Sequence, residues 1–299
     1  MAATYADSIP GSETAPSGPV RLPWKAIFWF GALLILGYAG VLNYLVHQWL
    51  NDEDMGHGFF VPVVAGYIAW QRRGDLASAK ISTNYWGLAL VVFSTFLLMV
   101  GTLGAQIVVS RVGFLIALVG AILFLCGAQV LRILAFPLFL LLFMIPIPAM
   151  IYARITLPLQ LFASRVAETF LSLFGIPVLR DGNVLELASQ RLSVVEACSG
   201  IRSLLSLSFL SLVYAYFFDA KQWMRWALLA ATVPIAIAAN SARVTLTGLL
   251  SEYRADLAQG FFHTAEGWVL FIVALAMLIA AHQVINWIYR KYRGGHAAN

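Results

Sequence analysis

The chain has 299 residues, of which 61% are hydrophobic, with 19 basic and 14 acidic side chains, or 11% charged. Soluble domains carry charge on ~25% of their residues and must cover their surface with polar groups, so a soluble globular protein is excluded. At ~20 apolar residues per membrane-crossing helix, the length gives room for about eight spans and little else, and the expected fold class is an all-α polytopic membrane protein.

Residues 1–22, rich in Pro, Ser, Gly and Ala and without an apolar run, read as a disordered tail rather than a secretory signal. Apolar runs then predict spans at 25–47, 57–71, 85–108, 110–128, 131–147, 200–218, 225–248 and 265–288. The second is short, and the fifth ends at Pro146 and Pro148. Between the fifth and sixth spans the texture changes. Residues 150–175 have helical amphipathic spacing and predict a helix lying on or dipping into the interface. Residues 177–197 alternate β-branched residues around an Asp-Gly-Asn turn and predict a small β-hairpin. A single membrane domain over 23–290 and a short basic tail, 291–299, complete the organisation, with no internal repeat.

Orientation follows from Lys and Arg. With residues 1–22 in the cytoplasm and eight spans, the inner side holds 11 of the 19 basic residues, including all four lysines, against four acids. The inner side is then +7 and the outer side −2, both termini are cytoplasmic, and the hairpin lies outside. The overall charge of +5 concerns the sides of a membrane; lipid is the expected contact and nucleic acid is not a partner.

Two cysteines cannot make a disulfide scaffold. Cys126 lies inside an apolar run and reads as a small buried or lipid-facing residue. Cys198 stands at the start of the sixth span, where unpaired backbone donors and the helix dipole favour thiolate; a packed cysteine at a helix start is the alternative. Arg243 falls toward the outer end of the seventh span, where a charge is costly. It either snorkels to the surface or joins Asn240, one turn earlier, in a polar stripe facing the bundle.

His263 precedes the eighth span on the same outer side, with Glu266 placed to orient its ring if the segment is helical. His57 lies between two glycines at the start of the second span, fitting either an interfacial role or the site. Arg202, one turn after Cys198, fits a cationic partner for the thiolate or an ion pair with Glu196. His282 and His296 read as structural. A cysteine and a histidine are the minimum for thiolate acyl transfer, and a guanidinium supplies fixed donors for an oxyanion. No cofactor or metal is expected.

The runs VEACSGIRSL, PIAIAANSARV and FHTAEGW, in that order, resemble the exosortase/archaeosortase family of integral-membrane cysteine transpeptidases. The similarity extends to GHGFFVPVVAGYIAWQRR, LPLQ and GIPVLRDGNVLEL and so covers most of residues 45–270. It implies Cys198 as nucleophile beside Arg243 and His263; the histidine motif before His57 departs from the usual form at Met55 and Gly56. It further implies a multi-pass protein of the bacterial inner membrane with an extracytoplasmic active site. Its substrates would be exported proteins ending in a short motif such as Pro-Glu-Pro, one membrane helix and an arginine cluster. The acceptor would be water, an amine or a polysaccharide. Two rivals stand beside this reading: a transporter whose Arg243 and His263 bind an anion, and a non-enzymatic factor in exopolysaccharide export. Transporters tend to show repeats and midplane breaks, whereas the polar residues here gather at one face.

Overall fold

The computed structural model describes residues 23–188, 190–194, 200–253 and 261–296, without the side chains of 53–54, 149, 200–203, 261–267 and 293–296. The chain is mostly helical. In order it forms α1 (Trp24–Gly37), α2 (Ala39–Asn51), a 3-10 segment (Glu53–Phe59), α3 (Phe60–Gln71), α4 (Arg73–Ala77), α5 (Tyr85–Leu103) and α6 (Ile107–Cys126). Then come α7 (Ala128–Ile133), α8 (Ala135–Leu140), a 3-10 turn (Leu141–Met144) and the long α9 (Ala149–Leu173). Three strands follow, β1 (Val178–Asp181), β2 (Val184–Leu187) and β3 (Arg191–Ser193), and then α10 (Gly200–Phe218), α11 (Gln222–Tyr253) and α12 (Phe261–His296).

Among the described residues, four helices are long and apolar enough to cross a membrane: α5, α6, α11 and the Trp268–Tyr292 part of α12. The pair α1 and α2 makes a fifth if counted as one span, bent by 70°. The bend falls at Tyr38, beside Gly37, where the buried Tyr38 hydroxyl donates to the Ser94 carbonyl of α5 at 2.9 Å. The other three of the eight expected spans coincide with shorter helices. Residues 57–71 give α3, preceded by the 3-10 segment. In α10 the apolar helical stretch is Leu204–Phe218. The run 131–147 breaks into α7, α8 and the 3-10 turn. α7 begins after Gly127, whose φ of +90° an L side chain rarely adopts and whose missing Cβ makes room for Ser82. Apolarity counts residues for a span and is blind to such breaks.

α5 and α6 form an antiparallel hairpin with closely approaching backbones. A Cβ on Gly120 would lie 2.8 Å from the Gly87 carbonyl oxygen, the small-residue packing typical of helices in lipid.

The expected amphipathic helix 150–175 is α9, and it packs along α11. The expected hairpin is a three-stranded antiparallel sheet in the order β1-β2-β3. Asp181 pairs with Val184 across the two-residue turn Gly182-Asn183, with Gly182 at φ +61°. β3 adds through Leu185 opposite Leu192 and Glu186 opposite Arg191, the latter an ion pair at 2.6 Å. One sheet face, carrying Leu185, Leu187 and Leu192, is buried with Ala163, Ala167 and Leu171 of α9, and Val194 and Val244 join the same cluster. The sheet therefore fastens α9 to α11. Two further clusters hold α2 and α3 against α10, and α10, α11 and α12 against one another.

Candidate active site

The packing of α10 against α11 and of α11 against α12 defines two ends of the bundle. At one end α10 starts, α11 finishes and α12 starts. At the other, Asp219 follows α10 and meets His282 and Asn286 of α12. There too Arg72, after α3, donates from Nε to the Tyr216 hydroxyl at 2.9 Å. The 3-10 segment carrying His57 is at the opposite end of α3 and touches α10.

α11 carries Arg243 half-buried and Asn240 buried, and each has an interaction partner. Asn240, Val244, Thr247 and Ser251 recur at helical spacing and are all buried, at 7%, 0%, 4% and 2% exposure. Of the stripe expected from Arg243 and Asn240, Asn240 is thus buried and Arg243 half-buried. The hydroxyls of Thr247 and Ser251 donate to the carbonyls of Arg243 and Gly248, each at 2.9 Å. Local backbone acceptors satisfy those hydroxyls within an otherwise apolar helix.

His57 sits in the 3-10 segment, one turn before α3, rather than at the start of a long span. Both its ring nitrogens are buried without a hydrogen bond of ordinary geometry among the described residues. Its neighbour Gly58 is required by packing: a Cβ there would come 2.5 Å from the Trp49 ring. The Trp49 indole in turn donates to the Met144 carbonyl at 3.0 Å.

Cys198 and Glu196 lie outside the described residues. Arg202 belongs to the first turn of α10, and His263 and Glu266 to the first turns of α12; their side chains also lie outside. Before residues 195–199 in the chain stands Val194, fully buried, and after them Gly200 opens α10. Among the described residues no three His, Cys, Asp or Glu side chains converge in a way that would hold a metal ion.

Two polar features were not legible as sites. Asp219 is buried and accepts hydrogen bonds from the Lys221 backbone N–H at 2.8 Å and the Asn286 amide at 3.2 Å; His282 Nε2 stands 3.2 Å away. His282 Nδ1 is 3.0 Å from the Tyr214 hydroxyl. The second is Arg111 of α6, buried at 3%, which donates to Gln48 of α2 at 2.7 Å. Both join residues far apart in sequence, and the only available signal was a polar group inside an apolar run.

Against known families, a model described as transmembrane exosortase matches residues 49–280, well over half of the chain. No curated protein and no solved structure matches.

Proposed function

Since the chain belongs to the transmembrane exosortase family, we propose that it is a membrane cysteine protease or transpeptidase that cleaves C-terminal sorting signals of exported proteins. Cys198 is the nucleophile, Arg243 the oxyanion donor and His263 the acid and base, at the extracytoplasmic face of the bacterial inner membrane. Both termini are cytoplasmic. The substrate tail carries a short motif, a membrane helix and a basic cluster.

One observation carries the reading: Val194 and Val244 share a fully buried cluster. Val194 precedes Cys198 by four residues, and Val244 follows Arg243 directly. At no more than ~3.6 Å per residue, the chain keeps the cysteine within about 14 Å of Val194. The alternating directions of α10, α11 and α12 support a shared end for the three residues.

In the reaction the Cys198 thiolate adds to the carbonyl carbon of the scissile peptide bond, and the oxyanion draws hydrogen bonds from the Arg243 guanidinium. Collapse breaks the C–N bond, His263 protonates the leaving amine, and the acyl group stays on sulfur as a thioester. Water or an acceptor amine or hydroxyl then attacks the thioester, giving its proton to His263 and releasing the thiolate. Arg202 and Glu266 support the thiolate and the imidazole, and His57 and Glu196 border the site. The test is the Cys198→Ala variant, with the tail of an exported substrate followed by immunoblot. The uncut precursor is expected to accumulate, and normal trimming would sink the proposal.

A further inference from the structure

α9 packs against α11, and an open groove of about 880 Å³ lies between them, with Leu270 of α12 in its lining. From α9 it is lined by Phe162, Val166 and Phe170, one apolar stripe at i, i+4 and i+8; the two phenylalanines are half exposed, at 52% and 48%. From α11 the lining runs from Pro234 to Leu249, about 22 Å at 1.5 Å per residue, or roughly two-thirds of a ~30 Å hydrocarbon core.

The α11 wall differs from an ordinary lipid-facing surface in two ways. Its middle is made of Ala238, Ser241, Ala242 and Thr245, so that small residues repeat four apart in two registers. Such spacing lets a second helix backbone approach closely; a fluid acyl chain needs no such spacing. Independently, the Ser241 hydroxyl is buried, with the residue at 4% exposure, and has no hydrogen-bond partner among the described residues. Its neighbours Thr245 and Thr247 satisfy theirs on the helix backbone. A buried hydroxyl left unmet is unfavourable, and a rotation of the Ser241 side chain toward the groove would let a close helix meet it with a carbonyl or a small polar side chain.

We propose that this groove seats the membrane helix of the substrate's own tail, with the small-residue face of that helix against Ala238, Ser241, Ala242 and Thr245. This rests on the protease reading above and adds the surface that holds the tail. The Leu249 end of the wall lies toward the end of the bundle where α11 finishes and α12 starts, so a seated helix carries its preceding motif toward the end proposed for the reacting groups. Holding the tail beside the reacting groups turns cleavage into an effectively intramolecular step.

The probe is a tagged exported reporter ending in Pro-Glu-Pro, an apolar helix of about twenty residues with alanine or glycine at every fourth position, and an arginine cluster. Full-length protein carrying Cys198→Ala is given a benzophenone amino acid in place of Leu246 or Val166, or of Val92 on the lipid-facing side of α5 (65% exposed) as the remote control. Adducts with the reporter are expected at Leu246 and Val166, about tenfold above Val92. They should fall about fivefold when Ala242→Phe fills the groove or when the reporter helix is all leucine. Lipid adducts alone at both groove positions, or equal reporter yield at Val92, overturn the proposal. Trimming by the wild-type protein is scored separately. Trimming with lipid-only adducts removes the groove and leaves the protease, whereas groove adducts with no trimming remove the protease and leave the groove.

Discussion

Val194 and Val244 are both fully buried, in one cluster with Leu171 of α9 and Leu185 and Leu192 of the sheet. The shared cluster links the segment that leads toward Cys198 with the helix that carries Arg243. The rigidity of the proposed site therefore depends on an apolar contact as much as on any polar one. Truncating Val194 to alanine removes two methyl groups from a packed interior and is expected to cost about 1–3 kcal/mol. Because small misplacement of reacting groups is expensive, trimming of the substrate tail should fall by more than the loss of folded protein explains. Thermal unfolding in detergent and immunoblot of the tail give the two numbers. A variant that melts like wild type contradicts the packing role.

Asp219 anchors the buried polar cluster at the opposite end. Its carboxylate is 5% exposed. Burial alone would raise its pKa, yet the Lys221 backbone N–H, His282, Asn286 and the Lys221 ammonium together hold it down to about 2. A carboxyl depressed on folding stabilises the folded state above its unfolded value, 3.8, and loses that contribution as pH falls toward 2. The shift corresponds to about 2 kcal/mol near neutral pH. Asp219→Asn is expected to lower the melting temperature at pH 7, with the gap from wild type closing below about pH 3. A gap independent of pH would mean that Asp219 acts by shape rather than by charge.

The sequence was most legible where physics is local. The continuous apolar runs of α5, α6, α11 and α12 carry their own signature, as does the Asp-Gly-Asn turn, and α9 follows from helical spacing. Breaks were less legible. The 70° bend at Tyr38 coincides with a hydroxyl reaching Ser94 of α5, and the interruption after Gly127 with a close approach to Ser82. Neither leaves a trace in hydropathy. For the site, Asn240 marked the inward face of α11 from one turn away. The pairing of Asp219 with His282 was invisible because the two lie 63 residues apart and each alone fits a structural residue. The third strand was missed because its partner register is set by Leu185 and Leu192 meeting in the core.

Arg243 offers a sharp separation of charge from geometry. Lysine keeps the charge but replaces a planar fork of fixed donors by a mobile point. If the guanidinium binds a developing oxyanion, Arg243→Lys is expected to lose activity nearly as fully as Arg243→Gln, by about 10²–10³-fold in the acylation rate. Both variants should still seat the substrate tail. Single-turnover trimming with purified protein measures the first, and photo-adducts at Leu246 the second. A lysine variant within threefold of wild type would assign the arginine to general attraction of an anion.

The two cysteines provide an internal comparison. Cys126 ends α6, buried at 6% exposure beside Ala79 and Val130, and a thiol so enclosed is inert. In sequence, Cys198 stands two residues before the first residue of α10, and on the proposed reading the helix N-terminus would favour its thiolate. In intact cells or right-side-out vesicles, a membrane-impermeant maleimide is expected to label the wild-type protein once, near neutral pH, and Cys198→Ala not at all. Cys126→Ala should leave labelling unchanged. Substrate present in excess should slow the reaction, because the recognition motif would cover the sulfur. Labelling only after the membrane is permeabilised would place Cys198 on the cytoplasmic side and reverse the proposed topology. Labelling no faster than a free thiol would remove the activated thiolate, and with it the reason to assign Cys198 rather than a bystander cysteine.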